Sequence, residues 1–422
     1  FMQKVVVKEV SKRSKRRRHC WIRMSIGLCL VSYVVFLFWF VQRQLRKKEY
    51  KKKDKKQATD VFERTIVFVG GLQRSGTTTA ATLLENIDES WSKQQVRQEL
   101  GMIVNRIAKL RGMNPSYVKD TLSSGGLEGK FVQNVYPYHY LLKEWGSGGN
   151  TAIDKFSLSS ELVQPDTGNR LWQQWHSFWN ESATVLIEKT PENILMSQFL
   201  QSAFQNITIP NKVAFVFVLR HPLAWSLVID KWLRNKWNRD FTKSLRPLQA
   251  RVQMWLDVTT TMLDRDAPTL SSIAIFHAEV ADLYPKKLLH LILTRIRIPT
   301  SFKQVPSTNP FSGYILANLA YLACWLNGKN WNSKRHQCDT SKKNISLQLR
   351  QQRRAQFDQL RITFENFTIV MGYSFSSTLP SRLCDREAEC RVPHSFSWSL
   401  TDVGVRTERI ASHYRPFFIL PV

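Results

Sequence analysis

The sequence predicts an α/β domain whose central parallel sheet is covered by helices on both faces. Three observations predict it: short, continuously apolar, β-branched runs; stretches of helical length between them; and a glycine-spaced loop joining the first run to the first helix. Alternation of this kind leads to parallel strands, whose ligands sit at the carboxyl ends.

The chain opens on charge rather than on this domain. Of its 422 residues, 61 are Lys or Arg against 33 Asp or Glu, a formal net charge of +28. Residues 1–60 hold 18 of those cations against Glu9, Glu49, Asp54 and Asp60, so half the excess lies in the first seventh of the chain. The rest is basic too, which favours anionic ligands. Residues 1–23 read as a basic cytosolic tail. Residues 24–41, Met24 to Val41, carry no charge; at about 1.5 Å per residue they span roughly 27 Å, close to a hydrocarbon core, and predict one transmembrane helix. The run is long for a signal peptide and no small-residue cleavage site follows it. Residues 42–64, with the lysine run from Lys51, have no apolar period and read as a solvated stem.

Lys and Arg crowd both ends of the apolar segment, so charge barely orients it. The sequons do better: those at Asn180, Asn206, Asn344 and Asn366 all follow the segment and none precedes it. A type II protein with an N-glycosylated lumenal domain is the expectation. Past the segment the cysteines form an even set, Cys324, Cys338, Cys384 and Cys390, with Cys324–Cys338 and Cys384–Cys390 the preferred of three pairings.

The α/β domain is expected over 65–375. Its strands are predicted at Thr65–Val69, Val185–Ile187, Val213–Leu219 and Ile273–Phe276, each too continuously apolar for a half-exposed strand. Helices are predicted over Pro191–Phe204 and Trp225–Trp232, with Pro191 suited to a helix start. Residues 86–125 and 301–312 read as loops or insertions, and 376–422 as an extension pinned by a disulfide. Trp172, Trp175 and Trp179 recur at helical spacing and read as core, with a sugar-stacking platform as the alternative.

Chemistry concentrates at three strand ends. Gly71-Leu72-Gln73-Arg74-Ser75-Gly76-Thr77-Thr78 keeps the G-x-x-x-x-G spacing of a Walker A loop but has Thr77 where the lysine belongs. Backbone N–H groups there suit a phosphate, with Arg74, Ser75, Thr77 and Thr78 adding donors. The second strand ends at Lys189, in Glu188-Lys189-Thr190-Pro191-Glu192-Asn193, and the third at Arg220, in Arg220-His221-Pro222. Two cations and an anion cradle thus meet where such a sheet binds ligands.

Together with Glu128-Gly129-Lys130-Phe131-Val132-Gln133, these segments resemble, in order and over roughly residues 65–285, the motif series of the sulfotransferase family. The similarity is to its membrane-bound Golgi branch, distantly to protein-tyrosine sulfotransferases. The resemblance implies a P-loop-like three-layer α/β/α fold and transfer of a sulfuryl group from 3′-phosphoadenosine 5′-phosphosulfate to a hydroxyl of a glycan or a protein tyrosine. It implies that Arg74, Ser75, Gly76, Thr77 and Thr78 hold the 5′-phosphosulfate, that Arg220 holds the 3′-phosphate, and that Lys189 reaches the sulfuryl group and leaving oxygen. Glu128 matches the acid of the family's E-G-x-x-x-Q segment and is the expected general base, with His139 and Glu188 as alternatives; Glu188, adjacent to Lys189 on a strand, should face the other way and orient a neighbour. Catalytic roles thus fall to Glu128, Lys189 and Arg74.

One position departs from the family pattern. Eight residues after its arginine the family has a serine, where this chain has Val228; Ser226 is the substitute expected, although two helical positions differ by about 200°. The segment Phe276 to Asp282 resembles a degenerate form of another family motif and is expected to be structural. Neither zinc-type cysteine spacing nor an H-E-x-x-H pair occurs, so no metal is expected. The partners expected are one membrane and a glycan or secretory-protein acceptor, without nucleic acid. Two rival functions stay open: a lapsed sulfotransferase fold that binds acidic glycans, favoured by Val228, and a P-loop kinase or NTPase, opposed by Thr77.

Overall fold

The computed structural model describes residues 64–85, 128–137, 156–180, 183–205, 211–236, 247–298, 346–375 and 405–419, with isolated positions at 207 and within 104–119 and 311–338. The expected tail, membrane helix and stem lie outside the described residues, Arg64 aside, as do His139, residues 86–103 and 301–310, Cys384 and Cys390. Among the described residues no helix is long and apolar enough to cross a membrane.

Four strands form one parallel sheet: β1 (Arg64–Gly70), β2 (Val185–Lys189), β3 (Asn211–Leu219) and β4 (Ile273–His277), in the order β2-β1-β3-β4. All four lie where the apolar runs predict them, extended by one to two residues at their ends. Continuous apolarity is explained by burial: every residue of β2 and β4 is buried, and so are Ile66 to Gly70 of β1. Phe68 of β1 packs against Phe215 of β3, and beyond the sheet against Phe204 and Trp175.

The helices that matter for the site are α1 (Thr77–Glu85), α2 (Thr167–Trp175), α3 (Asn193–Gln205), α4 (Pro222–Lys236) and α5 (Leu248–Thr261). The helix predicted from Pro191 starts at Asn193 instead. The carbonyl of Pro191 accepts from the Gly71 N–H at 3.0 Å, and the intervening turn is closed by short-range bonds such as Asn193 N–H to the Thr190 carbonyl at 3.0 Å. The loops after β1 and β2 are thereby stitched together before α3 begins. Trp175 and Trp179 are core, as their spacing implies; Trp172 is half-buried.

Two short helices, α6 (Ala278–Leu283) and α7 (Pro285–Arg295), follow β4. A long helix α8 (Leu347–Ile369), not foreseen from the sequence, is capped by the Ser346 hydroxyl, which accepts from the Leu349 N–H. The described part of the expected C-terminal extension is integral to the core. Ile419 N–H donates to the Ile275 carbonyl at 2.8 Å, Phe418 bridges in parallel to Ile275, and Val405 pairs with Tyr373. Cys324 is buried and disulfide-bonded.

Candidate functional site

Parallel register brings the strand ends together. Val69 lies opposite Lys189 on one side and Val216 on the other, and β3 runs on to Leu219, so the loop after Gly70, Lys189 and Arg220 share one edge of the sheet. All three sequence-predicted stations therefore meet.

The first loop folds tightly because its glycines allow it. Gly71 has φ +154°, and a Cβ there would lie 2.5 Å from the Val218 carbonyl oxygen; Gly76 has φ +109°. Arg74, with φ +70°, adopts the left-handed region without being glycine, a strain of order 1–3 kcal/mol that such loops store at functional sites. Two buried donors hold the loop from behind: the Trp225 indole N–H bonds the Gln73 carbonyl at 2.7 Å, and Arg220 Nη1 bonds the Arg74 carbonyl at 2.9 Å. Ser75 is buried, and among the described residues its Oγ has no hydrogen-bond partner. A buried unsatisfied hydroxyl costs about 1–3 kcal/mol, and an arriving anionic oxygen would relieve it. Thr77 and Thr78 open α1, whose first-turn N–H groups have no helical acceptor. Arg74 and Thr78 are exposed, whereas Thr77 is buried.

Glu128 stands beside this loop at the start of a short 3₁₀ turn, Gly129–Phe131. One carboxylate oxygen receives Lys189 Nζ at 2.6 Å and the other Lys130 Nζ at 2.7 Å. Burial pushes its pKa up, but the two ammonium groups outweigh that and hold it below the ordinary carboxylate value. Lys130 reaches further, to Glu192 at 2.7 Å, and Glu192 in turn accepts from the Gln73 amide at 2.7 Å. A chain of polar contacts thus runs from Lys189 through Glu128, Lys130 and Glu192 to Gln73 of the first loop.

Glu188 faces away from Lys189, as strand alternation requires. Its buried carboxylate accepts from the Gly129 N–H at 2.8 Å, the Thr190 hydroxyl at 2.5 Å and the Asn193 amide at 2.6 Å. Burial raises its pKa against those hydrogen bonds. Trp175 donates to the Gly129 carbonyl at 3.1 Å. The N–H and the carbonyl of Gly129, next to Glu128, are therefore both clamped, and the Glu188 carboxylate is committed to holding that turn.

Ser226 is not presented to the site. It is 0% exposed, and its hydroxyl donates to the Pro222 carbonyl one turn back at 2.7 Å. Val228, buried on the same helix, offers no donor. The turn after Arg220 is held instead by Glu279, which accepts from the His221 N–H at 3.0 Å and from the Tyr373 hydroxyl at 3.1 Å. Burial raises the pKa of Glu279 and lowers those of His221 and His277 to about 4, so both imidazoles are neutral near pH 7. The segment around Glu279 thus serves structure.

Sequence reasoning missed Lys130, Glu192, Gln73 and Trp225. Gln73, Lys130 and Glu192 stand inside motifs already singled out, but the contacts joining them span 62 and 119 positions. Among the described residues no group of three or more His, Cys, Asp or Glu is placed to hold a metal ion. No protein-family model matches the chain, and no curated protein matches it.

Proposed function

We propose that the chain is a sulfotransferase that uses 3′-phosphoadenosine 5′-phosphosulfate and acts on a hydroxyl of a glycan or protein tyrosine. The observation that carries this reading is the meeting of the lysine-less loop, Lys189 and Glu128 at one sheet edge, with Lys189 Nζ 2.6 Å from the Glu128 carboxylate. A nucleotide triphosphatase would keep its cation within the loop; here it comes from the neighbouring strand. We read the domain as P-loop-like and three-layered, since right-handed crossovers from β1 to β2 and from β2 to β3 run in opposite directions and send α1 and α3 to opposite faces. The signal-anchor span over 24–41 and a Golgi-lumenal placement belong to the same proposal.

The loop fits an anionic donor: Ser75 Oγ lacks a partner among the described residues, and Arg74 and Gly76, both at positive φ, shape a cradle. The bound donor supplies the sulfuryl group, whose bond to the 5′-phosphate oxygen breaks as the bond to the acceptor oxygen forms. Arg74, Ser75, Gly76, Thr77 and Thr78 hold the 5′ end, and Arg220 the 3′-phosphate. Lys189 neutralises charge on the transferring group and leaving oxygen; preorganised donors of this kind each contribute about 2.7–4 kcal/mol. Glu128 takes the acceptor's proton, which leaves its carboxyl neutral until solvent removes the proton. In the free protein Lys189 is paired with Glu128, so engaging the donor requires it to swing away.

Calorimetry with 3′-phosphoadenosine 5′-phosphate tests the loop: the full chain binds and Arg74→Ala does not. Equal binding by that variant refutes the assignment. Mass spectrometry with isotopically labelled donor and a mixed glycan and peptide panel then identifies the acceptor. A second reading, a lapsed fold that binds acidic glycans, draws on the turned-back Ser226 and the apolar Val228. Nucleotide binding without transfer to any panel member would favour it.

A further inference from the structure

Among the buried charged groups near the site, Lys130 has no part in the transfer chemistry described above. It is 3% exposed, its ammonium lies 2.7 Å from Glu128 and 2.7 Å from Glu192, and Glu192 is fully buried. Its ammonium also lies 5.1 Å from the Phe131 ring centroid. Burying a lysine costs several kcal/mol unless its charge is compensated, so a lysine in this place is held by its two carboxylates. Those carboxylates belong to different parts of the site. Glu128 sits on the 3₁₀ turn, whereas Glu192 follows β2 and is bonded to Gln73 in the phosphate loop at 2.7 Å. Lys130 is the link that fixes one to the other.

We propose that Lys130 is a positioning residue for Glu128, which locks the base carboxylate to the phosphate loop through Glu192 and Gln73. This rests on the sulfotransferase reading for the role of Glu128. Its physical content is that Glu128 has two ammonium partners in the free protein but must give up Lys189 to the donor. Lys130 is then the cation that keeps the carboxylate ionised and aimed at the acceptor oxygen. A single-ammonium site would lose both orientation and ionisation at the moment of transfer. Lys130 itself touches neither donor nor acceptor in this scheme.

The test compares Lys130→Gln, Lys130→Arg and the double variant Lys130→Gln/Glu192→Gln with the parent chain. The double variant removes the orphaned buried Glu192 charge and keeps the fold where the single one strains it. Calorimetric binding of 3′-phosphoadenosine 5′-phosphate to the parent comes first, and its absence refutes the donor reading itself. The Glu128 carboxyl is then titrated by ¹³C NMR on ¹³Cδ-glutamate protein, its resonance assigned by its loss in Glu128→Gln. Loss of one of two close cations moves a carboxyl up by about 1–3 pH units, and that rise is expected in both Gln variants but not in Lys130→Arg. Nucleotide binding by the double variant stays within about threefold of the parent, a difference under 1 kcal/mol. An unmoved Glu128 midpoint overturns the proposal, as does a rise accompanied by loss of nucleotide binding in the double variant, which would make Lys130 a structural element of the phosphate loop.

Discussion

Lowering the pH from about 7 to about 5 is expected to destabilise this protein through two buried histidines. His221 is 2% and His277 0% exposed, and burial holds both near pKa 4 against an ordinary 6.5. Arg220 and His277 add to the depression at His221, while its bond to the Ser374 backbone opposes it. Around His277 lie the Tyr373 ring at 4.6 Å, the Phe418 ring at 5.2 Å and the Met371 carbonyl at 2.9 Å. Because the folded pKa is lower than the unfolded one, the unfolded chain binds more protons in this window. Stability is therefore full above about pH 6.5 and declines as the pH falls toward about 4. Between pH 7 and 5 each histidine contributes a loss of about 2 kcal/mol, and the pair about 4. The buried carboxyls Glu188, Glu279 and Asp266 have raised pKa values and act oppositely, gaining stability as the pH falls through their folded values. The slope of the parent alone is thus a sum of both signs, and the informative quantity is its difference from His221→Gln and His277→Gln. Urea unfolding followed by tryptophan fluorescence at a series of pH values measures it. Variants whose stability falls between pH 7 and 5 as steeply as that of the parent would refute the reasoning.

Glu128→Gln should lower transfer by roughly 10²–10⁴-fold while leaving 3′-phosphoadenosine 5′-phosphate binding intact, as seen by comparing initial rates with calorimetry. Ser226→Ala should bind this nucleotide like the parent, because the hydroxyl is committed to Pro222. Arg220→Ala should weaken it by about 1.5–3 kcal/mol, the worth of a hydrogen bond to a charged group, and the two variants titrated side by side separate the roles.

The four strands and their parallel pairing were legible because a strand buried on both faces writes itself as an unbroken apolar run, as in Val213 to Leu219. The glycine-spaced loop was legible because only glycine fits at Gly71, where a Cβ would clash with the Val218 carbonyl oxygen at 2.5 Å. Lys189 and Arg220 followed from their places at strand ends. Glu128 did not follow from any period or spacing; only the order of motifs pointed to it, since the turn that carries it is shaped by Glu188 and Trp175 from elsewhere in the chain. Helix α8 was illegible for a related reason. Of its residues only Leu360, Phe364 and Thr368 are buried, a stripe too narrow to mark the run from Leu347 to Ile369 as amphipathic. Likewise, the docking of Phe418 and Ile419 on Ile275 depends on an edge of β4 that no local pattern announces.

On the proposed sulfotransferase reading, the charge arrangement accounts for the missing lysine in the loop. Glu128, Glu192, Lys130 and Lys189 are two anions and two cations in contact, so the cluster carries no uncompensated charge. A lysine within the loop, at the position of Thr77, would add a third cation that no carboxylate of this cluster balances. On the proposed reading, a cation on β2 instead lets one ammonium serve Glu128 before the donor arrives and the transferring group afterwards. The anionic donor would bring the compensating charge with it. What must not move in such an exchange is Glu128, and the fixed points are those observed around it: Lys130 on its carboxylate, and Glu188 and Trp175 on the peptide groups of Gly129 behind it.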